Sequence, residues 1–140
     1  MAIDKQKLIE LLNKDLGLEY TAMVQYVQHS GIMTGAAYGD IIKELKIHAN
    51  EELQHALMLA DQIDFLDGIP TVEMPPAKVS ADNQKMLEQD LEGEEDAISR
   101  YKARISQAEE FQELALAQKL REILAVEQEH AMDLKQALGK

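Results

Sequence analysis

The chain has 140 residues, a formal net charge of −12 and no cysteine. That length suits one domain, 1–140, with a core of its own, and the absence of thiols excludes disulfides, zinc knuckles and thiolate chemistry. The acidity argues against nucleic acid and anionic membrane surfaces as partners, since both demand Lys and Arg clusters, and it suits a protein that attracts cations.

From Asp4 to about Ile32 apolar residues recur at helical spacing (Leu8, Leu11, Leu12, Leu16, Met23, Val27), with Asp4 as the N-cap. Gly31 to Gly39 reads as a turn. A second helix is expected from about Asp40 to Asp67, stopped by Asp67-Gly68-Ile69-Pro70. Residues 68–80 hold Pro70, Pro75 and Pro76 and form the long connector. Ser80 or Asp82 caps a third helix running to roughly Gln107. A break near Ala108 to Phe111, without Gly or Pro, precedes a fourth helix ending at about Leu138. Two helical hairpins joined by a long crossover predict an all-α fold, a four-helix bundle of ferritin-like connectivity.

The sequence is also internally duplicated. Asp15-Leu16, Glu19, Ala22 and Tyr26 return as Asp90-Leu91, Glu94, Ala97 and Tyr101. Glu52, His55-Ala56 and Leu59 return as Glu127, His130-Ala131 and Leu134. Every pair is separated by 75 residues, which maps the first hairpin onto the second about a pseudo-two-fold axis. Duplication of a fold accounts for repeated leucines. It does not by itself account for repeated acids and imidazoles.

Residues three apart on a helix share a face, so Glu52 with His55, and Glu127 with His130, can reach one ion. Glu19 and Glu94 add a carboxylate from each remaining helix. One Glu from two helices and Glu-x-x-His from the other two is the ligand pattern of di-iron and di-manganese carboxylate bundles. The duplication sorts these residues from their neighbours: Glu51, Glu92 and Glu95 have Val126, Gly17 and Tyr20 as mates. Four carboxylates balance two divalent cations, whereas four acids crowded into a core without metal repel one another and lose hydration. The mixed oxygen and nitrogen donors suit two iron ions, with manganese or zinc as alternatives.

Asp15 and Asp90 lie one turn before Glu19 and Glu94; they are read as hydrogen-bonding the ligand histidines, with a solvated acid near a helix start as the equal alternative. Tyr26 and Tyr101 lie two turns after those glutamates; they are expected to hydrogen-bond carboxylates, with electron donation during oxidation as the rarer role. His29 and His48 have Arg104 and Ile123 as mates and read as structural residues, with iron transit as the alternative for His48.

The chain resembles the ferritin-like superfamily, and bacterioferritin in particular. The resemblance rests on Leu16-Gly17-Leu18-Glu19 through Gln25-Tyr26 and His29, on Glu51-Glu52-Leu53-Gln54-His55-Ala56, and on Phe65-Leu66-Asp67-Gly68-Ile69-Pro70. It implies a ferroxidase centre of Glu19, Glu52, His55, Glu94, Glu127 and His130, in which Glu52 and Glu127 bridge two irons that O2 or H2O2 oxidises. That family ligates haem through a methionine just after the second-helix glutamate; here Leu53 stands there, so no haem is expected. Its cage-closing fifth helix has no counterpart before Lys140, which argues against a closed cage and for a dimer or other small assembly; a homo-oligomer, dimer or larger, is expected. Rubrerythrin-type peroxidases are a second resemblance, implying a di-iron peroxidase or oxidase that stores nothing. They carry a further glutamate where this chain has Ala97, and a cysteine-based domain. The opening Met1-Ala2-Ile3-Asp4-Lys5 lacks the features of a secretory signal, so a cytoplasmic location without membrane association is expected.

Overall fold

The computed structural model describes residues 2–140. Asp4 closes the N-terminus of α1 (Lys5–Ile32) by accepting the backbone N–H of Lys7 at 2.7 Å. A single 3-10 turn, Ala36–Tyr38, leads into α2 (Gly39–Phe65). Asp82 caps α3 (Asn83–Glu110) by accepting the N–H of Lys85 at 2.8 Å, while Ser80 accepts the N–H of Asp82. Three residues then separate α3 from α4 (Leu114–Ala137). There is no strand among the described residues, and no helix among them is long and apolar enough to cross a membrane.

The α3–α4 break lies a few residues beyond the expected position, because Ala108 is still helical and fully buried. Gln112 ends α3 by taking the left-handed conformation, φ 57°. Its N–H reaches Glu109 O, and the N–H of Glu113 reaches Ala108 O, the paired bonds of a Schellman motif. Asp67, φ 69°, does the same at the end of α2, with the N–H of Gly68 on Ile63 O at 2.9 Å. Neither motif places glycine at the left-handed position, which is why composition alone blurs these boundaries.

α1 packs along α2 and α3 along α4, and the hairpins meet through α1 on α3 and α2 on α4. Contacts across both seams run in opposite senses. On the first, Asp15 meets Arg104 and Tyr26 meets Glu94; on the second, His48 meets Asp133 and Glu51 meets His130. The helices facing each other are therefore antiparallel, and the pseudo-two-fold axis passes across the bundle.

The connector returns the chain along the whole of α1. Asn13 bonds both Ile69 O and the N–H of Thr71, Tyr20 donates to Thr71 O, and Thr21 donates to Pro75 O. Further along, Gln25 accepts the N–H of Lys78. Gly17 lets this strap approach: a Cβ there would stand 2.9 Å from Glu73 O. Two apolar clusters fill the bundle, one around Leu8, Leu12, Leu59, Leu116 and Leu120, the other around Leu45, Met86, Leu91 and Leu134. Between them lies a polar layer.

Candidate metal centre

All six sequence-predicted ligands fall in that layer, and all are buried. Helical periodicity puts Glu52 and His55 on the inward face of α2, with Glu127 and His130 opposite them on α4; α1 and α3 deliver Glu19 and Glu94. Their donor atoms form two overlapping groups, Glu19-Glu52-His55-Glu127 and Glu52-Glu94-Glu127-His130. His55 Nδ1 lies 3.0 Å from Glu52 Oε1, 3.4 Å from Glu127 Oε1 and 3.6 Å from Glu19 Oε2. His130 Nδ1 lies 2.8 Å from Glu94 Oε2, 3.4 Å from Glu127 Oε1 and 3.8 Å from Glu52 Oε1. Glu52 and Glu127 thus face both imidazoles, while Glu19 and Glu94 each serve one.

The tyrosines cross between halves. Tyr26 donates to Glu94 Oε2 and Tyr101 to Glu19 Oε1, both at 2.5 Å. Glu19 therefore has Oε1 fixed by the opposite hairpin and Oε2 turned toward His55, whereas a single oxygen of Glu94, Oε2, meets both Tyr26 and His130. Burial, then the nearby carboxylates, push both phenols well above their ordinary range, so both stay protonated donors.

Asp15 and Asp90 require a correction. Neither reaches a ligand histidine. Asp15 accepts from Arg104 Nε at 2.6 Å and from Arg100 Nη1 at 2.7 Å, and Asp90 accepts from Gln25 Nε2 at 2.9 Å and His29 Nδ1 at 3.0 Å. The antiparallel α1–α3 seam sets them against each other's helices, whereas the ligand histidines come from α2 and α4. The two arrangements correspond through the duplication, Arg100 to Gln25 and Arg104 to His29. Burial disfavours a charge on His29, yet its hydrogen bond and attraction to Asp90 leave its pKa raised.

The place expected for those aspartates is taken by Glu51 in one half only. Its Oε1 lies 3.1 Å from His130 Nε2, fixing the ring so that Nδ1 turns inward. Sequence reasoning set Glu51 aside because its mate is Val126; its spacing of four from His55 also pointed away from the histidine it holds. His48 is a second such residue: fully buried, it stacks on His130 with centroids 3.8 Å apart.

Protonation follows from crowding. Burial, then Glu127, raise Glu19 and lift Glu94 to about 8, and burial with the surrounding carboxylates holds Glu52 well above its ordinary value. Burial works against charge on the imidazoles but is overridden by the neighbouring carboxylates, which carry His55 to about 9 and His130 to about 11. Burial likewise opposes charge on Glu127, but the closeness of both histidines and of Glu52 holds it low. The metal-free centre therefore keeps protons that a divalent cation must displace.

One prediction is a pH dependence of stability. The histidines, raised from 6.5, contribute stability that is full below pH 6.5 and is lost as pH rises through about 9 for His55 and about 11 for His130. The raised Glu94 acts in the same direction between 4.5 and about 8. Metal-free protein is expected to melt at progressively lower temperature from pH 6.5 to 9, and Zn2+ to flatten that slope; a Tm rising with pH in the metal-free protein would contradict this proton balance.

A donor set suited to two cations leaves lone pairs for them. Glu19 Oε2, both oxygens of Glu52, Glu127 Oε1 and His55 Nδ1 are buried without a hydrogen-bond partner. Such groups are destabilising unless something binds them. On the pseudo-axis, a cavity of about 80 Å³ lies between α1 and α3, lined by Leu18, Ala22, Gly93 and Ala97 above Glu19 and Glu94. It is large enough for a few water-sized molecules.

Comparison with known proteins shows what the chain and its bundle are similar to. The ferritin-like domain family matches residues 9–140. A bacterioferritin of Brucella melitensis is 32% identical over 89% of this chain and 78% of its own length. A ferritin-like, diiron-carboxylate protein of Bacillus anthracis superposes with a TM-score of 0.93 at 33% identity, covering 99% of both chains. A dodecameric thioferritin of Bacteroides fragilis, described as bacterioferritin-related, gives 0.90 at 29% identity over 98% of this chain and 87% of its own.

Proposed function

This chain belongs to the ferritin-like family, and from that premise we propose that it binds two Fe2+ in its bundle and oxidises them with O2 or H2O2, in iron storage or detoxification. The observation that carries the proposal is the ring of buried, unpartnered carboxylate oxygens around His55 and His130. An inert structural cluster has no physical reason to keep those lone pairs. The relatives named bacterioferritin support iron as the cargo.

The two irons would supply the electrons, and the protein would do the holding. Glu19 with His55 takes one ion and Glu94 with His130 the other, with Glu52 and Glu127 shared between them. Tyr26 and Tyr101 brace the end carboxylates, leaving the shared pair freer to shift as charge on the irons changes. The cavity between Ala22 and Ala97 offers a small oxidant a route in. No haem is part of the proposal, since Leu53 stands at the position of the family's ligating methionine. Self-association is supported by an exposed apolar groove on α1 and α2, where Met23, Val27 and Leu53 meet. Val27 is 58% exposed, so it belongs to that surface and not to the core stripe in which its spacing placed it.

The test is aerobic addition of two Fe2+ per bundle, followed optically. Rapid, oxidant-dependent absorbance is the expected result, and an inert mixture sinks the proposal. Adding Fe2+ in large excess and repurifying by size then separates storage from turnover. Many irons per chain on a large particle indicate a mineral store, whereas about two per bundle on a small oligomer indicate a redox protein of the non-storing kind.

A further inference from the structure

A second cluster of metal-ligating side chains borders the six-residue centre, sharing none of its residues although His48 also lies within reach of Glu94 and His130. Glu44 and His48 sit one turn apart on α2, and Asp133 faces them from α4, three residues beyond His130. His48 is fully buried; its Nε2 lies 3.2 Å from Asp133 Oδ2, and its Nδ1 has no hydrogen-bond partner. Glu44 and Asp133 are only partly buried. They form the inner wall of an open groove of about 560 Å³ shared with Tyr38, Asp40, Lys43 and Gln136. The cluster joins that groove to the back of the His130 ring.

The duplication shows that packing does not demand these residues. At the equivalent place in the other half, Ile123 replaces His48, Met58 replaces Asp133, and Lys119 replaces Glu44. One half fills the site with apolar side chains and a cation. The other half fills it with a fully buried imidazole, whose Nε2 faces Asp133, and two partly buried carboxylates, a polar set that costs desolvation. The ligand pairs of the main centre, in contrast, are kept in both halves. The polar triad is thus a local addition to a scaffold that closes without it.

We propose that Glu44, His48 and Asp133 bind a third divalent cation, separate from the main pair. One nitrogen and two carboxylates, with remaining positions open to water from the groove, suit Fe2+, Mn2+ or Zn2+. The ion would sit between solvent and the His130 side of the centre, separated from it by the His48 ring.

Anaerobic calorimetric titration of the metal-free full chain with Co2+ tests this. Three ions per chain are expected for the wild type and two for E44Q/D133N, whose isosteric changes lie at the half-exposed rim and leave the six ligands intact. H48I, which installs the residue of the other half, should also bind two, with an unchanged circular dichroism spectrum. Two ions in the wild type, or a third surviving in E44Q/D133N, overturns the proposal. The main centre is judged separately: E127A should lose a tightly bound ion while keeping the one at Glu44, His48 and Asp133.

Discussion

Glu127→Ala is expected to abolish tight binding of the second ion of the main centre. Glu127 Oε1 lies 3.4 Å from the Nδ1 of both His55 and His130, so its loss removes a donor from both ion positions at once. Removing a group that merely supports a ligand lowers metal affinity roughly 10–100-fold; removing a shared ligand should exceed that. Glu19→Ala should also leave one ion, but at near wild-type affinity, since Glu19 faces only His55 among the histidines, whereas the ion left in Glu127→Ala should be weakened too. Anaerobic titration with Fe2+ or Co2+ reads both variants. Unchanged stoichiometry in Glu127→Ala would refute the ligand assignment.

Asp15→Ala should be the most destabilising change away from the centre. Asp15 is fully buried and receives three hydrogen bonds from Arg100 and Arg104, whose side chains are 14% and 5% exposed. Truncation leaves the buried Arg104 guanidinium without a carboxylate and Arg100 with only the exposed Asp96. Breaking a buried ion pair from one side costs about 3–5 kcal/mol, a fall in Tm on the order of 10–20 °C for a domain of this size. Asp90→Ala removes the matching carboxylate, but its partners there are a neutral amide and a titratable imidazole. That change should cost about 1–3 kcal/mol. Thermal melts of the two variants provide the check, and equal losses would contradict the charge asymmetry. Both variants should retain the wild-type ion stoichiometry, because neither aspartate touches a ligand.

The helices, the connector and the six clustered acids and histidines were legible in the sequence because each is written in local spacing. A period of 3.6 marks a buried stripe, prolines mark a strap, and a repeat at fixed distance separates Glu19 and Glu52 from bystanders such as Glu92 and Glu95. The end of α3 was not legible, since Gln112 turns the chain left-handed without glycine to announce it.

Partners across the bundle were beyond the sequence as well. Spacing places Asp15 on the same face as Glu19, but whether that face meets a histidine of α2 or an arginine of α3 depends on which helices pack side by side and in which direction. The same holds for Tyr26 reaching Glu94, for Glu51 holding His130 instead of its near neighbour His55, and for His48 lying on His130. Spacing along one segment settles which residues share a helix face, because that follows from local backbone geometry. Which faces meet is a property of the assembled bundle, because hydrogen bonds and ion pairs between helices depend on an antiparallel register that burial of the whole core selects.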